Sequence, residues 1–160
     1  MRPFRLLIFS MLSILFAAGL VAEGERAPDF QLTDIQGKPF RFSQSAGKVV
    51  VLDFWATWCP PCQEEIPHFI DLQKKYGSKG LEIIGIALDR KGSRTVAPFV
   101  KKYGVNYKVL VGDVMKAADD YGGIVGIPTT FVIDRRGMIV KKYVGYVEPE
   151  ELENEIKKLL

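Results

Sequence analysis

Two unbroken apolar runs constrain this chain most: "KVVVLDFWA" at Lys48–Ala56 and "LEIIGIALD" at Leu81–Asp89. Both are rich in β-branched and aromatic residues and lack a polar face, as expected of strands buried on both sides. Between them, Pro60 to Tyr76 switches to helical spacing. Ile66, Phe69 and Ile70 share a face, and Gly77 stops the pattern. Strand, helix and strand in this order predict a crossover unit within a covered sheet.

The pattern extends in both directions. "DFQLTDIQGKPFRF" alternates like a hairpin that turns at Gln36-Gly37. Residues 93–103 read as a helix ended by Gly104, "YKVLVGD" as a short strand, and Val114 to Tyr121 as a short helix. Thr129–Asp134 and Met138–Gly145 read as strands joined through Arg135-Arg136-Gly137. Glu148–Leu160 is a closing amphipathic helix. Its acidic start and its Lys157 and Lys158 near the end suit the helix dipole. The order β-β-β-α-β-α-β-α-β-β-α predicts an α/β fold, a central mixed β-sheet flanked by helices on both faces.

Ahead of this pattern, Arg2 and Arg5 precede an uncharged run from Leu6 to Ala22. That run is long for the hydrophobic centre of an export signal and short for a membrane span. Residues 1–22 fit either a cleaved signal peptide or a retained N-terminal membrane anchor. In both cases the basic flank stays in the cytoplasm and the rest is exported. Glu23 to Pro28 reads as a short polar link, which places the folded domain at residues 27–160. Without residues 1–22 the charge is nearly balanced, 20 basic against 19 acidic residues. No basic patch stands out, which argues against nucleic acid as a partner.

The only two cysteines stand in "WATWCPPCQEEIP" (Trp55–Pro67), where the first apolar run meets the helix. Four readings compete for them. Zinc needs about four ligands, and the single histidine, His68, leaves too few. Covalent haem needs a histidine right after the second cysteine, where Gln63 stands. A purely structural disulfide over so short a loop restricts the unfolded chain by only about 2 kcal/mol in the entropy model. Redox chemistry uses the position itself. Cys59 at a helix start meets free N–H groups and the positive end of the dipole, which stabilise a thiolate. Cys62, three residues on, is close enough to bridge. Cys59 should be the more exposed sulfur and attack; Cys62 should lie deeper and resolve the mixed disulfide. An exported chain can meet an oxidising compartment. This chemistry needs no metal or other cofactor.

"DFWATWCPPC" resembles the active-site stretch of the thioredoxin superfamily. "CPPCQEEIP", "GIPTTFVID" and the N-terminal export segment resemble its TlpA/ResA-like branch of exported thiol–disulfide oxidoreductases, some of which serve cytochrome c maturation. The resemblance covers residues 27–160. It implies a thioredoxin-like fold with an N-terminal hairpin and a βα insertion between 81 and 111. It implies a protein-disulfide reductase that works in the periplasm or at the outer face of the cytoplasmic membrane. A membrane thiol–disulfide reductase would supply electrons, and protein disulfides, apocytochrome c among them, would take them.

Carried over residue by residue, Cys59 matches the attacking and Cys62 the resolving cysteine. Pro128 matches the cis-proline beside the active site, so Ile127 could pair with a bound peptide. Trp58 reads as a flat contact surface for a partner and Trp55 as core. Pro67 matches a helix-kinking proline. Glu65 matches a glutamate of the TlpA/ResA-like branch, and Asp53 the buried aspartate of thioredoxin. Asp53, inside an apolar strand, should have a raised pKa and exchange a proton with Cys62. Glu65 should approach the same sulfur from the solvent side, with the weaker influence. Pro60 and Pro61 each remove an N–H from the helix start, which weakens thiolate stabilisation and favours the disulfide form. "DRKGSR" (Asp89–Arg94) reads as a solvated loop and His68 as an ordinary helix residue. Two other functions stay open: a redoxin-type peroxidase, which needs a Thr and an Arg around its cysteine, and a thioredoxin-like module that holds an apo-metalloprotein without turnover.

Overall fold

The computed structural model describes residues 23–160; the hydrophobic segment at 1–22, read above as signal or anchor, lies outside the described residues. Strand β3 (Val49–Trp55) is the spine, and every one of its residues is buried. It pairs in parallel with β4 (Leu81–Ala87), from Val49 opposite Leu81 to Trp55 opposite Ala87. Its other edge pairs antiparallel with β6 (Thr129–Ile133). A strand with strands on both edges and helices over both faces has no wet side, which is why its sequence is unbroken and apolar.

The other strands are β1 (Gln31–Asp34), β2 (Pro39–Arg41), β5 (Lys108–Val111) and β7 (Ile139–Val144). Together they form a seven-stranded mixed sheet in the order β2-β1-β5-β4-β3-β6-β7. The helices are α1 (Pro60–Tyr76), α2 (Ser93–Tyr103), α3 (Val114–Asp120) and α4 (Pro149–Leu159). Short 3₁₀ turns lie at Phe42–Ser45 and Gly77–Lys79. The expected hairpin forms, with Leu32 opposite Phe40. Phe42, expected at the end of its second strand, belongs to the first 3₁₀ turn instead.

Alternation along β3 assigns the two faces. Val50, Leu52 and Phe54 pack with Val114, Ala117 and Ala118 of α3 and with Phe30 and Phe42. Val49 and Val51 pack with Phe69 and Leu72 of α1 and with Leu152 and Ile156 of α4. Trp55 packs with Ile66 of α1 and with Val96 and Phe99 of α2. Asp53 lies on this second face by the same period. Both crossover helices, α1 and α2, therefore cover one side of the sheet, and the end of β3 opens onto the start of α1.

Two segments differ from expectation. Residues 24–27, read as a polar link, run along the start of β7. Gly24 N–H donates to Ile139 O, Ile139 N–H to Glu25 O, and Ala27 N–H to Gly137 O. They cover part of an edge strand, where unpaired backbone groups are otherwise open to another chain. Asp89, read as part of a solvated loop, is only 8% exposed. Strand β4 ends two residues earlier, and the chain turns back so that the Asp89 carboxylate points into the protein at the loop before Cys59.

Candidate active site

Cys59 sits at the N-cap of α1, with extended backbone (φ −94°, ψ 109°). Its Sγ accepts the Cys62 N–H at 3.3 Å. The two residues are joined as a disulfide, with their Cα atoms 5.3 Å apart. Pro60 and Pro61 occupy the first two helical positions, where missing N–H groups cost the helix little. Both cysteines are buried, Cys59 at 4% and Cys62 at 2% exposure, so the expected order holds by only a narrow margin. The side chain that reaches solvent is Trp58, at 66%. Trp55 is buried as expected.

The Ile127–Pro128 peptide bond is cis. Ile127 O lies 3.8 Å from Cys59 Sγ, so the segment leading into β6 abuts the sulfur of the attacking candidate. Pro128 is buried, and its carbonyl accepts the Gly145 N–H at 2.8 Å. The fold thus brings Cys59, Cys62, Ile127 and Pro128 together from positions about 65 residues apart in the chain.

Two carboxyl groups are buried between β3 and α1, Asp53 on the strand and Glu65 on the buried face of the helix, close enough for the Glu65 charge to act on Asp53. Asp53 is buried, paired across the sheet with Gly85 and Thr130, and its Oδ1 accepts the Thr130 hydroxyl at 3.2 Å. Burial holds its pKa well above the usual carboxylate range; the nearby Glu65 charge adds to this and the Thr130 hydroxyl opposes it. Glu65 is 1% exposed, so it does not approach from the solvent side. Its Oε1 accepts the Val147 N–H at 2.8 Å, and its Oε2 is buried with no hydrogen-bond partner. Burial pushes its pKa up to about 7, against the opposing pull of the Val147 N–H. The reason is helical spacing: Cys62, Glu65, Ile66, Phe69, Leu72 and Tyr76 form the buried face of α1, whereas Glu64 is exposed. An acid at that position goes where the face goes.

Tyr107 completes the group and was not foreseen. It precedes β5, its ring meets Phe69 edge-on at 6.1 Å between centroids, and its pKa is raised well above the usual value. Burial is the main cause, followed by the charges of Asp53 and Glu65. Nothing in its local sequence marks it. Gly85 makes the space: a Cβ there would stand 2.7 Å from Trp55 Nε1 and 3.6 Å from Tyr107 Cε2.

The loop between β3 and α1 is tied down at Thr57. Its N–H donates to Asp89 Oδ2 at 3.0 Å and its hydroxyl to Asp89 Oδ1. Its carbonyl accepts Gln63 Nε2 at 2.6 Å. Among the described residues no three His, Cys, Asp or Glu side chains come together as a metal site, and no helix is long and apolar enough to cross a membrane. A cavity of about 280 Å³ lies at the other end of β3, lined by Phe42, Val50, Ile133 and Arg135, away from the cysteines.

Comparison with known proteins agrees with this geometry. Residues 24–142 match the AhpC/TSA family. The chain is 38% identical over 136 residues to the thiol-disulfide oxidoreductase ResA of Bacillus anthracis, covering 85% of this chain and 78% of that protein. It is 38% identical over 125 residues to ResA of Bacillus subtilis (strain 168), covering 78% and 69%. Among solved structures, a thioredoxin-family thiol:disulfide interchange protein from Chlorobium tepidum TLS superposes with a TM-score of 0.76 at 35% identity. That match covers 86% of this chain and 97% of the other.

Proposed function

Since this chain belongs to the AhpC/TSA family and is a thioredoxin-like thiol–disulfide oxidoreductase acting on protein thiols, we propose that it works outside the cytoplasm as a reductant of protein disulfides. The observation that carries this reading is the placement of Cys59 and Cys62 at a helix start, backed by two buried carboxyl groups of raised pKa.

In the reduced protein the Cys59 thiolate attacks one sulfur of a substrate disulfide. A Cys59–substrate disulfide forms, the substrate S–S bond breaks, and the second substrate sulfur leaves as a thiolate that takes up a proton. Cys62 then gives up its proton, and its thiolate attacks Cys59 Sγ. The Cys59–Cys62 disulfide forms and the remaining substrate thiol is released. Two electrons pass from protein to substrate, and each released substrate thiolate takes up its proton from the surrounding water. The Cys62 proton goes to the Asp53–Glu65 pair. Desolvation has moved both carboxyl groups towards the thiol range, where transfer near neutral pH is most effective. Each charge raises the other's cost, so the pair is best treated as one proton acceptor.

Trp58, Val125 and Val144 expose apolar surface on segments next to Cys59 and Ile127. That rim suits an unfolded polypeptide better than a small charged disulfide. From the resemblance we take the substrate to be an exported protein, apocytochrome c among the candidates, and the electron source to be a membrane thiol–disulfide reductase. The hydrophobic segment at 1–22 supports export.

Trapping tests the roles. Cys62→Ser should accumulate mixed disulfides with substrate proteins, and Cys59→Ser should not. The reverse pattern inverts the assignment. A thiol reagent that cannot cross the membrane should label Cys59 in intact cells after reduction; protection until lysis would contradict export. Peroxide consumption as fast as disulfide exchange would favour the peroxidase reading, and binding of a partner without electron transfer the module reading.

A further inference from the structure

The tie at Thr57 does more than close a loop. Residues 56–58 link the last residue of the central strand to the nucleophile at the helix N-cap. Such a linker has no regular partners for its backbone groups, and each group left unpaired inside the protein is costly. Here several groups of the linker and its flanks find partners. Trp55 O accepts the Leu88 N–H at 2.8 Å, and Ala56 O accepts the Cys59 N–H at 3.3 Å. Thr57 is held from both sides by side chains. Asp89 takes its N–H and its hydroxyl, and Gln63 donates to its carbonyl.

A carboxylate that is only 8% exposed needs donors for both oxygens, and Thr57 supplies both. Gln63 follows Cys62 on the first turn of α1, and its own N–H donates to Cys59 O at 3.1 Å. The clamp therefore joins three elements: the end of β3, the turn after β4, and the turn of α1 that carries both sulfurs. Trp58, the residue between clamp and nucleophile, is exposed and cannot anchor the loop.

We propose that Thr57 is the tie-point that fixes Cys59 for thiol–disulfide exchange, and that Asp89 and Gln63 are positioning residues acting through it. Loosening the clamp lets Cys59 Sγ drift from the Cys62 N–H and from Ile127 O. Thiolate stabilisation and the angle of attack then suffer together. The inference rests on the oxidoreductase reading only for its rate readout; thiol pKa and redox equilibrium are read without any protein substrate.

The test uses the purified full chain, with iodoacetamide as the alkylating probe and a reduced/oxidised glutathione mixture as the redox probe. Asp89→Ala should slow alkylation of Cys59 at pH 7 by about tenfold and move its pH midpoint upward. It should also shift the equilibrium with glutathione severalfold. Gln63→Ala should produce a smaller shift in the same direction. Thr57→Val loses the hydroxyl bond and should fall between wild type and Asp89→Ala, with Thr57→Ser restoring the wild-type profile. The double variant Asp89→Ala/Thr57→Val should be no slower than Asp89→Ala by more than about twofold, because the two changes remove a shared bond. If Asp89→Ala and Gln63→Ala lower the melting temperature but leave the alkylation profile and the glutathione equilibrium of wild type, the clamp is merely structural and the proposal is wrong. Should Asp89→Ala fail to fold, identical profiles for Thr57→Val and Thr57→Ser would overturn it alone.

Discussion

The chemistry of Glu65 is set by where the helix puts it. On an exposed helix face it would titrate as an ordinary glutamate; on the buried face of α1 its pKa moves from 4.5 to about 7. The consequence for stability has a definite sign. Between those two values the folded state holds a proton that the unfolded state has released, so stability falls as pH rises through this window. The stabilising contribution is complete below about pH 4.5 and gone above about pH 7. Glu65→Gln keeps an oxygen for the Val147 N–H and removes the charge. It should stabilise the fold by about 1–2 kcal/mol at pH 8 and change little at pH 4.5. Urea unfolding at the two pH values checks this, and equal effects at both would sink it. Asp53→Asn should stabilise in the same sense at pH 8. Both variants should slow the resolving step near neutrality, since each removes half of the proton-accepting pair. An exchange rate whose pH profile is untouched in both would move the proton route to water.

At the scale of elements, α1 joins the redox pair to the core. An N-cap side chain accepts from the second or third helical N–H. Here the third, from Cys62, already reaches Cys59 Sγ at 3.3 Å, so the two prolines do not strip the sulfur of every donor. Pro61 removes the second, while the N–H missing at Pro60 would not point at the cap. Pro61→Ala should therefore lower the Cys59 pKa and make the disulfide several times more oxidising against glutathione; Pro60→Ala should move it far less. Equal shifts would show that the prolines act through helix geometry and not through a lost donor. The element order itself was readable from the sequence because hydrophobic periodicity is local: α1 begins at Pro60 and ends at Tyr76, as the spacing and Gly77 indicate. The early end of β4 and the inward turn of Asp89 were not readable. Neither depends on periodicity, only on which backbone donors the neighbouring loop leaves open.

For the whole molecule, the described chain begins its contacts earlier than composition implied. Glu23 pairs with Lys141, and residues 24–27 are bonded to residues 137–139 beside β7. A chain starting at Glu23 keeps every contact among the described residues and should match the full chain in glutathione exchange. A chain starting at Pro28 should lose about 1–2 kcal/mol, because several edge hydrogen bonds go with it. Thermal and urea unfolding of the two truncations decide it; equal stability would return residues 24–27 to the status of a linker. The sequence by itself determined the strands and helices, their order, and the redox pair at the junction of β3 and α1, because each of these rests on spacing between near neighbours. Only the tertiary structure decided which polar groups face inward. The burial of Glu65, the approach of Tyr107 to the two acids, and the grip of Asp89 and Gln63 on Thr57 all depend on a second element packing over the first. The cost of desolvating a charge is set by that neighbour, not by the residue that carries it.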